Sequence, residues 1–82
     1  MQISVDISMY PLVEDYKEIV RQFVDRIAAH KGITLEFGAM STVISGECEL
    51  VMSLLATELK SAFTKTPNSV FVTKIVHTAC KA

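Results

Sequence analysis

The spacing of hydrophobic residues changes along this chain, and the change constrains the fold more than any other feature. Residues 2–10 alternate apolar and polar side chains, as in a strand with one buried and one exposed face. Pro11 ends that pattern, and from Tyr16 to Ile27 apolar residues recur at three- and four-residue spacing. We therefore predict a strand followed by an amphipathic helix, which closes at Gly32.

A second set of elements follows with the same change of spacing. Residues 33–37 and 41–45 predict two short strands, joined by a tight glycine-containing connection. A second helix is expected to open at Gly46-Glu47 and to stop before Pro67, and residues 70–76 predict a last, largely buried strand.

The order β-α-β-β-α-β predicts an α+β fold, the ferredoxin-like βαββαβ sandwich. Right-handed crossovers place both helices on one face of a four-stranded antiparallel sheet. With 82 residues, we expect a single domain spanning 1–82. The other sheet face stays open, and the alternation of the first strand directs Ser4, Asp6, Ser8 and Tyr10 toward it.

The second helix carries more apolar residues than one sheet face requires. Its stripe comprises Cys48, Val51, Met52, Leu55, Leu59, Ala62 and Phe63, with Leu50 and Leu54 beside it. Hydrophobic residues make up 50% of the chain, which is high for so small a body. These two features predict self-association, as a homodimer or homotetramer.

Composition argues against several classes of partner. The formal net charge is −1 and the cationic residues are scattered, so no basic stripe is available to follow a nucleic acid backbone. No apolar run approaches the roughly 18–20 residues that span a bilayer. The N-terminus lacks the pattern of a signal peptide, so we expect a cytoplasmic protein without a membrane partner.

The sequence offers no nucleophile, acid/base pair or metal cluster at a recognisable spacing. We therefore expect no enzyme activity, no cofactor and no metal site. Cys48 and Cys80 are expected to be buried or partly buried free thiols. His30 is expected to cap the first helix. His77 lies on the last strand, and we expect an ordinary edge residue there in preference to a ligand contact. Core packing is the expected role of Met9, Met40 and Met52.

Small hydroxyl residues gather at the predicted strand ends. They occur in Ser8-Met9-Tyr10-Pro11 and in Ser41-Thr42, with Gly46-Glu47 at the start of the second helix. Such positions can offer donors and acceptors to a small heterocycle. Serine and threonine also fill strand positions as β-compatible polar residues, and the residues alone leave both interpretations open.

Two of these segments carry a family resemblance. The stretch from Ile7 to Leu12, ISMYPL, and the stretch from Met40 to Gly46, MSTVISG, resemble the paired signature of the YkoF-like thiamine/hydroxymethylpyrimidine-binding family. The resemblance implies a ferredoxin-like unit that self-associates when present as a single copy, with a cytoplasmic role in thiamine uptake or salvage. The positions matched to the family's motifs are Ser8, Tyr10, Ser41, Thr42 and Gly46.

The chemistry of an aminopyrimidine extends that set. Its edge needs hydroxyls or carboxylates and its faces need apolar or aromatic groups. The candidate ligand-binding residues are therefore Ser8, Tyr10, Met40, Ser41, Thr42, Glu47 and Phe71. Thr42 shares strand parity with Ile44 and so turns toward the helices, whereas Ser8 and Tyr10 point away, which implies a bulge or a site split between faces. The alternative function is a regulatory or structural oligomerisation module without this ligand.

Overall fold

The helices and strands follow one another in the predicted order. The computed structural model describes residues 1–78. The elements are β1 (Gln2–Pro11), α1 (Tyr16–Ala28), β2 (Ile33–Phe37), β3 (Thr42–Glu47), α2 (Cys48–Lys65) and β4 (Ser69–His77). The strands form one antiparallel sheet in the order β2-β3-β1-β4, and both helices pack on one face. The prediction of a ferredoxin-like βαββαβ fold is confirmed.

The central strand β1 separates the two faces of the sheet. Its residues Ile3, Val5 and Ile7 are buried beneath the helices, as their alternation predicts. The buried core consists of Ile3, Val5, Ile7, Phe23, Ile27, Ile44, Val51, Leu54 and Leu55. At its margin the ring of Phe71 lies 5.1 Å from that of Phe23 and 5.3 Å from that of Phe63, measured between ring centroids. These aromatic contacts attach β4 to the helix layer.

The second helix begins later than predicted. Gly46 and Glu47 belong to β3, and Glu47 is the N-cap of α2 in an extended conformation. Its carboxylate accepts hydrogen bonds from the backbone N–H groups of Glu49, at 3.0 Å, and Leu50, at 3.4 Å. Because a side chain caps the helix, the strand can run directly into it without a loop.

The glycine that follows α1 takes the conformation that its place in the sequence predicts. Gly32 has a φ of 87°, in the left-handed region that favours glycine. A Cβ at this position would also lie 2.8 Å from Cδ2 of Leu50. The positive φ therefore favours glycine here, and a larger residue would in addition require the side chain of Leu50 to move.

The prediction that the last strand, β4, is largely buried is wrong. It lies at the edge of the sheet, where Val70, Val72, Ile75 and Val76 are 47%, 49%, 53% and 50% exposed. A nearly continuous apolar run is typical of central strands, but among residues 1–78 this run occupies a strand at the edge of the sheet.

The predicted packing roles of several other residues also need correction. Met9 packs against the core, whereas Met40 and Met52 are exposed, so the expectation of core packing is wrong for these two. Cys48 is a half-buried free thiol, as expected. Cys80 lies outside the described residues.

Candidate ligand-binding site

The open face of the sheet carries a row of polar side chains along its central strand. The row consists of Ser4, Asp6, Ser8 and Tyr10, which alternate with the buried residues of β1. Ser4 pairs with Ser45 of β3, and their hydroxyl oxygens lie 2.8 Å apart in a hydrogen bond. We call Ser4, Asp6, Ser8, Ser41 and Ser45 the polar track.

Asp6 occupies the middle of the polar track. In the strand register it lies between Val43 of β3 and Lys74 of β4. Its oxygen Oδ1 is shielded from solvent and has no hydrogen-bond partner among residues 1–78. Within the same residues, no ion pair within 4.0 Å joins it to Lys74. Since shielded polar groups in folded proteins are almost always hydrogen-bonded, this acceptor is exceptional.

Three of the candidate residues gather at one end of the polar track. Ser8 and Tyr10 lie on the open face, as the alternation predicts. Ser41 immediately precedes β3, and extending the register of Ile7 with Thr42 by one residue sets Ser41 opposite Ser8. The structure therefore places Ser8 and Tyr10 on the open face, with Ser41 at the adjoining end of β3.

Thr42 and Phe71 lie on the other face. Thr42 is only 7% exposed and pairs with Ile7, so it points toward the helices. Phe71 pairs with Met9 and belongs to the aromatic contacts with Phe23. Within the described residues the register of β1 with β3 and β4 is continuous, so no bulge brings these two side chains to Ser8.

Glu47 and Met40 are also separated from the group around Ser8. Glu47 pairs with Gln2 at the opposite end of β1, where its carboxylate caps α2. Desolvation raises the pKa of Glu47. This effect is outweighed by hydrogen bonds from the backbone N–H groups of Leu50 and Glu49 and by the N-terminal ammonium, so the pKa lies below its ordinary value. Met40 is 89% exposed in the turn before β3.

A second polar cluster lies between the two helices, centred on Glu58. Nε of Arg26 donates to its Oε1 at 2.6 Å, and Nε2 of His30 lies 3.0 Å from its Oε2. Burial raises the pKa of Glu58, but the hydrogen bonds and charges of Arg26 and His30 outweigh burial and lower it below the ordinary value. The side chain of His30 thus reaches across to α2, whereas its backbone N–H caps α1 by donating to the carbonyl oxygen of Ile27 at 3.0 Å.

Sequence reasoning missed the role of Glu58, although the sequence held one signal. Glu58 lies three residues after Leu55 and four before Ala62, inside the apolar stripe of α2. A carboxylate in an apolar stripe needs a partner, and the cations of α1 are the nearest source.

The cleft beside this cluster is small. Its volume is about 40 Å³, and its walls include Met9, Phe23, Glu58, Ala62 and Lys65. Clefts that enclose organic ligands usually measure roughly 300–1,000 Å³. The cleft between the helices is therefore too small to enclose a two-ring ligand.

Two further features of the described chain bear on function. Within residues 1–78, no three His, Cys, Asp or Glu side chains lie close enough to hold a metal ion. Over the same residues, no helix has the length and apolar character needed to cross a membrane.

Comparison with known proteins connects this chain to one family. The sequence model of the family described as thiamine-binding protein matches residues 5–79. The match includes the polar row of β1 from Asp6 onward and both segments that carry the resemblance. No curated protein matches the sequence significantly.

Solved structures share the fold. A Thermotoga maritima protein named as a candidate in thiamine biosynthesis or salvage is 23% identical with a TM-score of 0.84, covering 100% of this chain and 89% of its own. A Streptococcus pneumoniae protein is also 23% identical with a TM-score of 0.84, covering 94% and 87%. A domain of unknown function from Bacillus cereus is 19% identical with a TM-score of 0.76, covering 94% and 76%.

Proposed function

Because the chain belongs to the thiamine-binding protein family, we propose that it binds thiamine or its hydroxymethylpyrimidine moiety without catalysing a reaction. The observation that carries the proposal is the family match, which extends over residues 5–79. The polar track supports it, since hydroxyls and a carboxylate are the groups that the edge of an aminopyrimidine needs. We place the ligand on the open face beside Ser8, Tyr10 and Ser41.

The proposed cellular role is cytoplasmic thiamine uptake or salvage. The resemblance of ISMYPL and MSTVISG to the YkoF-like family supports this role. The Thermotoga maritima protein with the same fold is itself named for thiamine biosynthesis or salvage.

Self-association is the second part of the proposal. Strand β4 presents a nine-residue edge with exposed apolar side chains, including Val72 and Ile75. Unpaired strand edges readily pair with another strand, and a second copy of the same edge offers a matching apolar surface. We therefore propose a homodimer that joins two β4 edges, with a homotetramer as a further assembly of such dimers.

Calorimetry on refolded, ligand-free protein tests ligand binding. We expect heat of binding with thiamine, hydroxymethylpyrimidine or both, and none with nicotinamide as an unrelated heterocycle. Native mass spectrometry of the protein purified from cells adds an independent measurement of any bound mass. No binding of either compound at high protein concentration would refute the proposed ligand.

Sedimentation velocity tests the β4 interface. Ile75→Lys adds a charge at the exposed edge and should convert the dimer to monomer at micromolar concentration. Met40→Lys is the matched control, because Met40 is an exposed apolar residue in the turn before β3, away from β4. A dimer that persists in Ile75→Lys, or wild-type protein that sediments as a monomer, would contradict this interface.

The exposed edge of β4 also favours the alternative function, an oligomerisation module without the ligand. The two functions differ in the outcome of calorimetry. A stable oligomer that binds neither compound would support the module and exclude the ligand.

A further inference from the structure

The polar track contains one acceptor that the fold does not use, and it identifies how the ligand would be held. Resting on the proposed function, we infer that Asp6 orients the ligand by accepting a hydrogen bond from the exocyclic amino group of its pyrimidine ring. Asp6 is thus a specificity-determining residue for aminopyrimidines. Its neighbour Ser8 supplies the hydroxyl for the adjacent ring nitrogen.

The state of the Asp6 carboxylate is the first step of the argument. Its Oδ1 is shielded from solvent and has no partner among residues 1–78. A shielded acceptor without a donor lowers the stability of the fold, so the fold alone does not account for Asp6. Water cannot reach Oδ1, so a ligand amino group would donate to the carboxylate at Oδ2, with the added strength of a charged acceptor.

The hydroxyls beside Asp6 determine the direction in which the ring extends. The hydroxyls of Ser4 and Ser45 already bond to each other at 2.8 Å. Ser8, two residues along the same face, has no side-chain hydrogen bond among residues 1–78. The ring therefore extends from Asp6 toward Ser8, where Tyr10 lies further along the same row.

The apolar surface for the ring comes from the neighbouring strand. Val72 of β4 pairs with Ser8, and Val70 pairs with Tyr10, so all four lie on the open face. Val72 and Val70 are about half exposed, and Tyr10 is 52% exposed. A flat ring laid against these side chains would cover apolar surface while its polar edge faces Asp6 and Ser8.

The groups around Asp6 carry charges of both signs. Lys74 pairs with Asp6 across the strands and brings a positive charge to the same neighbourhood. Glu36, on the same face, lies one strand further away, beside Val43. Together with Asp6 these groups leave one net negative charge, which does not repel the thiazolium of thiamine. The assignment of the amino group to Asp6 therefore rests on its acceptor and not on the surrounding charge.

Calorimetry with Asp6→Asn tests this assignment. Hydroxymethylpyrimidine and thiamine share the aminopyrimidine, so both should bind about tenfold more weakly, since the amide loses the charge assistance of the carboxylate. Glu36→Gln is the matched control, because it removes the same charge from the same face and should leave both affinities within about twofold. The thiazole moiety alone lacks the aminopyrimidine, so its affinity should be the same for Asp6→Asn and for the wild type.

The outcomes separate this inference from the proposed function. If the wild type binds neither compound, the proposed function fails, and the inference fails with it. If the wild type binds but Asp6→Asn binds both equally well, or loses affinity for thiamine alone, only the role of Asp6 is refuted. Ser8→Ala is a second variant and should weaken both ligands by about threefold to tenfold. Unchanged binding in Ser8→Ala would also refute the geometry.

Discussion

Glu58 and Asp6 are both acidic residues with shielded oxygens, but they lie in regions of opposite character. Glu58 is only 5% exposed between the helices, where Arg26 and His30 satisfy both of its carboxylate oxygens. Asp6 lies on the open face of the sheet, where its Oδ1 has no partner among residues 1–78. The first carboxylate is explained by the fold, and the second is not.

The two faces of the sheet show the same difference. On the helix-covered face, Ile44 of β3 is fully buried, and Val5 of β1 pairs with it in the core. On the open face, the next residues in register are Val43 and Asp6, and both are half-buried. Adjacent positions on the same two strands thus serve stability on one face and are available for recognition on the other.

Replacing neighbouring residues of β3 is the strongest test of that division. Ile44→Ala should lower the free energy of unfolding by roughly 2–5 kcal/mol, because it leaves a cavity in the core. Val43→Ala, one residue away on the open face, should cost less than about 1 kcal/mol. Urea denaturation of both variants measures the difference. Similar losses would show that the open face is packed in the native protein, by a second copy for example.

Glu58→Gln should have the next largest effect. The amide keeps the size of the side chain but weakens its bonds to Arg26 and His30, at a cost of roughly 1–3 kcal/mol in unfolding free energy. Glu18→Gln is the control, since Glu18 is exposed on α1 with only a 3.5 Å contact from Gln22. Equal stability of Glu58→Gln and wild type would mean that the cluster contributes no net stability.

The pH dependence of stability sharpens the same prediction. The fold lowers the pKa of Glu58 below its ordinary value of 4.5, so the unfolded chain takes up this proton first as the pH falls. The contribution of Glu58 is therefore complete above the unfolded pKa and is lost as the pH falls through the folded pKa. The stability difference between wild type and Glu58→Gln should shrink below pH 4.5. A difference that stays constant down to pH 3 would contradict the pairing.

Asp6→Asn, unlike Glu58→Gln, should not lower the free energy of unfolding appreciably. Removing the charge from a shielded, unpartnered oxygen should leave the unfolding free energy within about 1 kcal/mol of wild type, or raise it. Thermal denaturation without ligand measures this effect. A marked loss of stability would show that Asp6 has a structural partner, and it would weaken the case for a ligand there.

The sequence predicts the elements well because each carries its own spacing of apolar residues. It misjudges the burial of β4, because an apolar run such as Val70 to Val76 looks the same in a central strand and at an edge. Only the order of strands decides which of the two applies. That order depends on crossovers between distant segments, and here the run lies at an edge whose apolar side chains are half exposed.

Part of the candidate site can also be predicted from the local spacing of residues. Alternation along β1 assigns Ser8 and Tyr10 to the open face, because neighbours in one strand determine each other's orientation. Thr42 is next to Ser41 in sequence yet lies on the opposite face, and Phe71 turns inward because β4 pairs in register with Met9. The missing partner of Asp6 depends on three strands together, and no local pattern reveals it.

The smallest expected effect concerns the hydroxyl pair at the other end of the polar track. Ser4 and Ser45 share one hydrogen bond, 2.8 Å long, on a partly exposed face. A double-mutant cycle with Ser4→Ala and Ser45→Ala should give a coupling energy of about 0.5 kcal/mol. The same cycle measured on ligand affinity should give no coupling, because the ring is expected to extend from Asp6 toward Ser8. Coupling in affinity would instead place the ligand over Ser4, reversing its direction along β1 while leaving Asp6 at its centre.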